Sequence, residues 1–295
     1  MLIKTMKTPK RIEPLVEEGL VDSVICQLMS GKEALVYVVQ CGSEIRCAKV
    51  YKETHQRDIW YQTRHAERRY VKNFRDAKVI QKQSNFIKIA REQAWQNTEI
   101  NALCCLGTAG VKVPKFLGFF EGVLLMELIL DSAGNVAPRL SNIRLTPNQA
   151  RIYHALLINQ VVRMLCQGMI HSDLSEYNVL LGFQGPVIID FPQTTLAAEN
   201  AQARWLLKRD IDTITQYLSR FAPELAETDF ASEVWSLYER GVLDLHTSLT
   251  GKPLEKPKPV NINGLLKMID SVMKKELAWQ RYKRERWTSQ RSLAF

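Results

Sequence analysis

The most informative segment of the chain holds an aspartate, an asparagine five positions later, and a second aspartate after a short hairpin. Asp173 and Asn178 bound the first part, and Asp190 follows the apolar pair Ile188-Ile189. Phosphoryl transfer to a hydroxyl needs a carboxylate at the attacking oxygen. It also needs an amide oxygen and a second carboxylate to hold Mg²⁺ against nucleotide phosphates. The spacing therefore predicts Asp173 as the catalytic residue and Asn178 and Asp190 as ligands of Mg²⁺, with Mn²⁺ as the alternative ion.

Such chemistry also requires a lysine for the ATP phosphates and a carboxylate that orients it. Lys49 fits because it lies in an apolar stretch that predicts a strand, Cys-Ala-Lys-Val-Tyr. Glu99, in a helix predicted over residues 87–106, is preferred over Glu92 as its partner because Glu99 shares a face with apolar residues. His171 is expected to brace the catalytic loop, residues 173–178, which carries Asp173 and Asn178, and not to react.

Further residues are predicted to surround the nucleotide. Small residues in a turn let backbone N–H groups approach phosphates, and the turn before the first hairpin strand consists of Ser30, Gly31, Lys32 and Glu33. The adenine is expected between Val36 and Ala48 above and Leu180 and Ile189 below, with Met126 behind it and backbone hydrogen bonds from the hinge Glu127 to Ile129.

The elements that must position these residues follow from periodicity and turn signals. Residues 12–28 predict an amphipathic helix, and residues 34–40 with 45–51 and 116–120 with 123–128 predict two hairpins. Later segments predict a helix over 147–168, short strands over 179–182 and 187–190, and helices over 198–220, 223–240 and 264–286. The predicted elements change from mainly strands to mainly helices near residues 127–131. We therefore expect an N-terminal lobe, 1–127, with a basic insert near 52–86, and a C-terminal lobe, 128–295.

Composition limits the class of protein. The chain of 295 residues is 46% hydrophobic and has no continuous apolar run of about 18 residues, so no membrane span is predicted. Six cysteines without a Cys-x-x-Cys pair argue against a disulfide framework, and we expect buried thiols and a cytoplasmic location.

The formal net charge of +9 is concentrated near 57–82 and 274–291, and Trp279, Tyr282 and Trp287 interleave the second cluster. Solvated helix faces and contact with nucleic acid both explain these clusters, and the aromatic residues fit base stacking or anchoring of the tail on its own domain.

Together these residues resemble the protein kinase-like superfamily, and within it the RIO-type atypical kinases, over roughly residues 15–220. The similar motifs are Ser-Gly-Lys-Glu-Ala at 30–34, Trp-x-x-x-Glu at 95–99, Ala-Gly-Val-Lys-Val-Pro at 109–114, Asp-Leu-Ser-Glu-Tyr-Asn at 173–178, and Ile-Asp-Phe-Pro-Gln at 189–193 before Trp205 and Arg209-Asp210. The first and fourth are similar to one RIO subfamily and the last to another. Ser172 stands where the family usually has glycine.

The resemblance implies an α+β, bilobal protein kinase-like fold. Its small N-terminal lobe is β-rich with one main helix, and its C-terminal lobe is mostly helical and lacks an ordinary activation segment. It also implies ATP and Mg²⁺ as cofactors and transfer to serine or threonine, often of the protein itself. In some members the aspartate at the position of Asp190 accepts phosphate, and the protein cycles as an ATPase during maturation of the small ribosomal subunit. The implied partners are therefore a protein substrate and rRNA or a pre-ribosomal particle, the latter through the basic insert and tail, with no membrane.

Two alternatives remain open at this point. A small-molecule kinase of the aminoglycoside or choline type shares the Asp, Asn, Asp spacing, although it usually has an acidic pocket for a cationic ligand. A nucleotide-switched assembly scaffold without catalysis would share the whole ATP site. The tripeptide Ala222-Pro223-Glu224 matches the end of an ordinary activation segment, but Pro223 is expected to open a helix.

Overall fold

The computed structural model describes residues 6–31, 33–52, 97–252, 273–275 and 279. Residues Met1–Pro253 form one compact unit, and Leu254–Phe295 form another, of which only the helical residues 273–275 and 279 are described. Lys32, Glu92, the insert after residue 52, and most of the predicted helix 264–286 lie outside the described residues.

The N-terminal half is built on a five-stranded antiparallel sheet with strand order β1-β2-β3-β5-β4. Its strands are β1 (Ser23–Ser30), β2 (Ala34–Cys41), β3 (Glu44–Tyr51), β4 (Phe116–Phe120) and β5 (Val123–Glu127). The β2–β3 and β4–β5 hairpins confirm the two predicted from sequence. Gly42 and Gly122 occupy their turns at φ 61° and 79°, a region that glycine enters without steric cost. Helix α2, residues 97–108, follows the segment outside the description and contains Glu99.

The helix predicted over residues 12–28 is wrong. The chain forms a short helix α1 (Glu13–Glu17), turns at Gly19, where φ is 72°, and then enters strand β1. Residues four apart share a face both on a helix and on a strand, so the spacing of Leu20, Val24 and Leu28 did not distinguish the two. The strand also carries two register irregularities against β2, which disturb the simple alternation of buried residues.

The C-terminal half is mainly helical, as predicted. Its helices are α3 (Pro147–Cys166), α4 (Ala203–Leu218) and α5 (Phe230–Glu239). Helix α3 begins at a capping box in which Thr146 and Gln149 exchange hydrogen bonds. Two small ribbons, β6 (Met169–Ile170) with β9 (Thr195–Leu196) and β7 (Val179–Gly182) with β8 (Gly185–Ile188), carry the loops between α3 and α4. Pro223 opens a 3-10 helix, Pro223–Glu227, so the predicted helix 223–240 is divided in two.

Two groups of buried side chains hold this unit together. The larger joins α2, the cleft-facing side of the sheet and helices α3 to α5, and the smaller fills the space between the sheet and α1. All six cysteines are free thiols, but Cys26, Cys104 and Cys105 are exposed, so the prediction that all six are buried is wrong. Within the described part of the chain, no helix has the length and apolar character needed to cross a membrane.

Candidate active site

Lys49 lies at the centre of a buried ionic cluster between the sheet and the C-terminal half. Strand β3 holds it, and the residue is 8% exposed. Its Nζ lies 2.7 and 3.0 Å from the two carboxylate oxygens of Glu99 and 2.7 Å from Oδ1 of Asp190. The structure therefore brings together three residues that are 50 and 141 positions apart in sequence.

The charges in this cluster stabilise each other. Burial alone would lower the pKa of Lys49, but attraction by Asp190 and then Glu99 outweighs it, so the pKa lies well above its ordinary value. Burial alone would raise the pKa of Asp190, but the Lys49 ammonium outweighs it, so the pKa lies below its ordinary value. Lys49 is therefore an ammonium and Asp190 a carboxylate at neutral pH.

Glu99 is fixed from a second side as well. The carboxylate is 1% exposed, and the hydroxyl of Tyr51 donates a hydrogen bond to its Oε2. Burial, followed by the negative charge of Glu99, raises the pKa of Tyr51, which keeps the hydroxyl protonated as a donor. The Lys49 ammonium lies 5.5 Å from the centre of the Tyr51 ring.

Backbone hydrogen bonds hold the catalytic loop on both sides of Asp173. The carboxylate of Asp210, on α4, accepts the N–H groups of Ser172 at 2.7 Å and Leu174 at 3.1 Å. Arg209 donates to the carbonyl of Ser172. Burial raises the pKa of Asp210 to about 7, against the effect of these two N–H groups. The backbone on both sides of Asp173 is therefore hydrogen-bonded to side chains of helix α4.

The asparagine and the second aspartate are neighbours at this loop. The Asn178 side-chain amide donates to the carbonyl of Asp173 at 2.9 Å, and its backbone carbonyl accepts the N–H of Ile189 at 3.0 Å. Because Nδ2 is committed to Asp173, Oδ1 is the amide atom available to a cation. The Asp190 side chain is 40% exposed and offers a second oxygen donor.

This pair of donors suits Mg²⁺. The ion prefers oxygen ligands and is usually held by one or two protein groups together with substrate phosphates and water. Among the described residues, no group of three or more His, Cys, Asp or Glu side chains is arranged as a complete metal site. Asn178 and Asp190 therefore fit an ion that would share its coordination with the phosphates of a nucleotide.

Ser172 and Asp190 adopt left-handed backbone conformations. Ser172 has φ 65° and Asp190 has φ 71°, a region that side chains with a Cβ atom rarely occupy. The conformation of Ser172 explains why glycine is expected there from the family resemblance. The Ser172 hydroxyl lies 2.9 Å from Oγ1 of Thr195, a contact that glycine would not make. His171 donates from Nε2 to the carbonyl of Ile189 at 3.1 Å, and burial lowers its pKa to about 4. Neutral and buried, His171 braces the loop, as its predicted role requires.

Of the two residues predicted above the adenine, Val36 and Ala48, the structure contradicts Ala48. Ala48 pairs with Tyr37 and Leu125 and belongs to the smaller core on the opposite face of the sheet from Lys49. Side chains alternate along a strand, so a residue next to Lys49 cannot share its face. The assignment of Ala48 to the adenine site is therefore wrong. Cys47, two positions from Lys49, has the required orientation.

The other predicted wall residues lie on the expected side of the sheet or beside the loop. Val36 pairs with Lys49, and Met126 pairs with Cys47, so both share the face of Lys49. Leu180 is half-buried on β7 beside Arg139, and Ile189 adjoins Asp190.

The hinge and the phosphate turn already use some of their backbone groups. In the hinge, Glu127 is exposed and the Ile129 carbonyl accepts the N–H of Ala137 at 2.9 Å. In the turn, Ser30 ends β1, the Gly31 N–H donates to Ala34, and the Glu33 carbonyl accepts from the Lys52 backbone. Lys32 is outside the described residues. The nucleotide contacts of these two segments stay predictions.

Comparison with known proteins identifies the family. The model of the RIO domain family matches residues 35–231, two thirds of the chain. The chain belongs to the RIO domain family.

Several proteins that are named as RIO kinases are similar to this chain in sequence. The chain is 27% identical over 211 residues to the RIO-type serine/threonine-protein kinase Rio1 of Haloferax volcanii, covering 71% of this chain and 68% of that protein. It is 30% identical over 152 residues to the protein of the same name from Thermoplasma acidophilum, covering 50% and 78%. It is 26% identical over 216 residues to human serine/threonine-protein kinase RIO1, covering 70% of this chain and 35% of that protein. The chain thus spans most of the archaeal relatives and about a third of the human one.

A solved kinase domain is similar over 74% of this chain and 67% of its own length, with 13% identity and a TM-score of 0.41. Family membership and the observed elements confirm the predicted α+β protein kinase-like fold. In this RIO domain only residues 191–202, which include the two-residue strand β9, separate Asp190 from α4. An ordinary activation segment is therefore absent from this described interval.

Three residues of the RIO domain site were missed from the sequence. Tyr51 and Cys47 lie two positions on either side of Lys49, and strand alternation was the signal that would have placed them on its face. Arg139 gave no local signal. Its guanidinium contacts Met29 Sδ at 2.6 Å, and its charge helps to lower the pKa of Asp190. Arg139 therefore contacts the end of β1 and acts electrostatically on Asp190.

Proposed function

We propose that this RIO protein is an ATP- and Mg²⁺-dependent phosphotransferase that phosphorylates serine or threonine hydroxyls, on a protein substrate or on itself. The observation that carries the proposal is the position of Lys49, 2.7 Å from both Glu99 and Asp190 and adjacent to the Asp173–Asn178 loop. The names of the relatives support the same chemistry. We further propose that the nucleotide binds between lobes 1–127 and 128–295.

In this proposal each residue has a separate task. Lys49 binds the phosphates of the nucleotide, and Glu99 keeps the ammonium directed into the cleft. The carboxylate of Asp173 orients the substrate hydroxyl and accepts its proton as the oxygen attacks the terminal phosphorus. Asn178 and Asp190 would hold Mg²⁺, which when bound neutralises charge on the phosphate oxygens. The Asp210 brace fixes the direction of Asp173, because both flanking N–H groups are anchored to it.

We also propose two features that the family resemblance implies. Asp190 would accept phosphate during an ATPase cycle, and its 40% exposed side chain is consistent with access by the terminal phosphate. A pre-ribosomal particle or rRNA would be the macromolecular partner, since the chain has a formal net charge of +9. The six free thiols are consistent with a cytoplasmic location.

Incubation with ATP labelled at the γ-phosphate, with and without ribosomal particles, tests these proposals. Acid-stable label that resists hydroxylamine indicates a serine or threonine acceptor, whereas hydroxylamine-labile label indicates an aspartyl phosphate. The Lys49→Met variant is the control and should take up no label of either kind. Absence of label from wild-type protein that still binds Mg·ATP would contradict phosphotransfer and favour the non-catalytic scaffold.

A further inference from the structure

Tyr51 is a buried residue beside Lys49 that has no role in the proposed transfer of phosphate. It is 3% exposed at the end of β3, two residues beyond Lys49. Its backbone N–H donates to the carbonyl of Gly122 at 3.2 Å, and its ring lies 6.4 Å from the ring of Phe119. The phenol is therefore fixed by the sheet and by packing, while its hydroxyl reaches across to Glu99 on α2.

The Glu99 carboxylate is held by Lys49 and Tyr51. It accepts two contacts from Lys49 and one from Tyr51, and it is almost completely removed from solvent. A buried carboxylate that loses its partners is strongly destabilising, because neither water nor another charge replaces them. The position of α2 against the sheet is thus tied to the partners of this one side chain.

Lys49 is a shared partner. Its ammonium already contacts Asp190 at 2.7 Å, and the phosphates of a nucleotide would compete for the same three N–H groups. Each contact that Lys49 makes elsewhere weakens its hold on Glu99. The Tyr51 hydroxyl donates its single proton to Glu99 Oε2, so this hydrogen bond does not depend on how Lys49 divides its three N–H groups.

We propose that Tyr51 is a positioning residue for phosphoryl transfer. Its hydroxyl retains the Glu99 carboxylate, and with it helix α2, against the sheet while Lys49 transfers contacts to the nucleotide. This inference rests on the proposed function for its catalytic consequence, but the retention of α2 is a property of the protein without nucleotide.

The test compares Tyr51→Phe with Tyr37→Phe, since each removes one hydroxyl from a buried tyrosine of the same sheet. Tyr37 lies on β2, on the opposite face, and belongs to the smaller core. Two quantities are measured: hydrogen exchange of the amides in residues 97–108 without nucleotide, and the rate of phosphate transfer at saturating Mg·ATP. We expect about tenfold faster exchange and about tenfold slower transfer in Tyr51→Phe, the effect of one lost hydrogen bond to a charged group. Both quantities should stay within about twofold of wild type in Tyr37→Phe.

Unchanged exchange in Tyr51→Phe would overturn the inference. It would also be overturned if exchange rose without any loss of transfer, or if Tyr37→Phe lost transfer to the same extent, since the effect would then reflect general packing. Failure of the wild-type protein to transfer phosphate would count against the proposed function. The exchange data would still decide whether the hydroxyl holds α2.

Discussion

Two ion pairs in this protein have the same length and should differ greatly in what they contribute to stability. Lys49 lies 2.7 Å from Glu99, with side chains 10% and 2% exposed. Lys208 lies 2.7 Å from Asp212 within helix α4, with side chains 54% and 53% exposed. Burial is therefore the main difference, and the matched substitutions are Glu99→Gln and Asp212→Asn.

Removal of one partner from a buried pair typically costs about 3–5 kcal/mol, because the other charge is left without compensation. Glutamine keeps the volume of Glu99, and Lys49 retains Asp190, so we expect a loss of about 2–3 kcal/mol. The new amide has one acceptor and one donor group, so it cannot accept hydrogen bonds at both positions used by Lys49 and Tyr51. The exposed i,i+4 pair in α4 should contribute less than about 0.5 kcal/mol.

Urea unfolding at pH 7 followed by circular dichroism measures both losses on the same scale. Thermal unfolding of the same samples checks that the order of stability does not depend on the denaturant. A loss in Glu99→Gln no larger than that in Asp212→Asn would refute the reasoning that the Lys49 cluster is a stabilising, desolvated network.

Two further substitutions test other parts of the structure. Cys47→Leu should weaken Mg·ATP binding at least about fivefold in a calorimetric titration, because the larger side chain fills space on the side of the sheet that carries Lys49. Ala48→Val should leave binding unchanged and cost about 1–3 kcal/mol of stability, because it overpacks the core on the other side. The reverse pattern would return Ala48 to the adenine site. For Asp210, the folded-state pKa of about 7 lies above the unfolded value, so its stabilising contribution is complete at low pH and is lost as pH rises through 7. The stability of wild type relative to Asp210→Asn should therefore fall between pH 5 and 7.5, by up to about 1.4 kcal/mol per pH unit, and a constant difference in urea titrations would contradict this.

Local signals were sufficient for most elements. The two hairpins and the helix after residue 146 were predicted from signals within a few residues, and the structure has both hairpins, with glycine turns, and helix α3, which begins at the Thr146–Gln149 capping box. The segment 12–28 was different because its apolar spacing fits a helix and a strand equally. Only pairing with β2, a contact between segments, selects the strand.

In the site, too, some features follow from local sequence and others from contacts between distant segments. The spacing of Asp173, Asn178 and Asp190 is local, so sequence was enough to single these residues out. The face occupied by Cys47 and Ala48 follows from strand alternation, which was available in the sequence but not applied. The contact of Arg139 with Met29 joins segments 110 residues apart and depends on how the chain folds back. The left-handed backbone of Ser172 likewise depends on Asp210, which fixes the flanking N–H groups from another helix.

The central claim is that Asp173 acts on the hydroxyl while Asn178 and Asp190 hold the metal-bound nucleotide. Calorimetric titration of Mg·ATP, combined with transfer of labelled γ-phosphate, tests it directly in wild type, Asp173→Asn and Asp190→Ala. The account predicts that Asp173→Asn binds Mg·ATP within about twofold of wild type but transfers no phosphate, since the base does not contact the nucleotide. Asp190→Ala should lose binding itself. Retained transfer in Asp173→Asn, or an unchanged binding curve in Asp190→Ala, would contradict the assignment of the site.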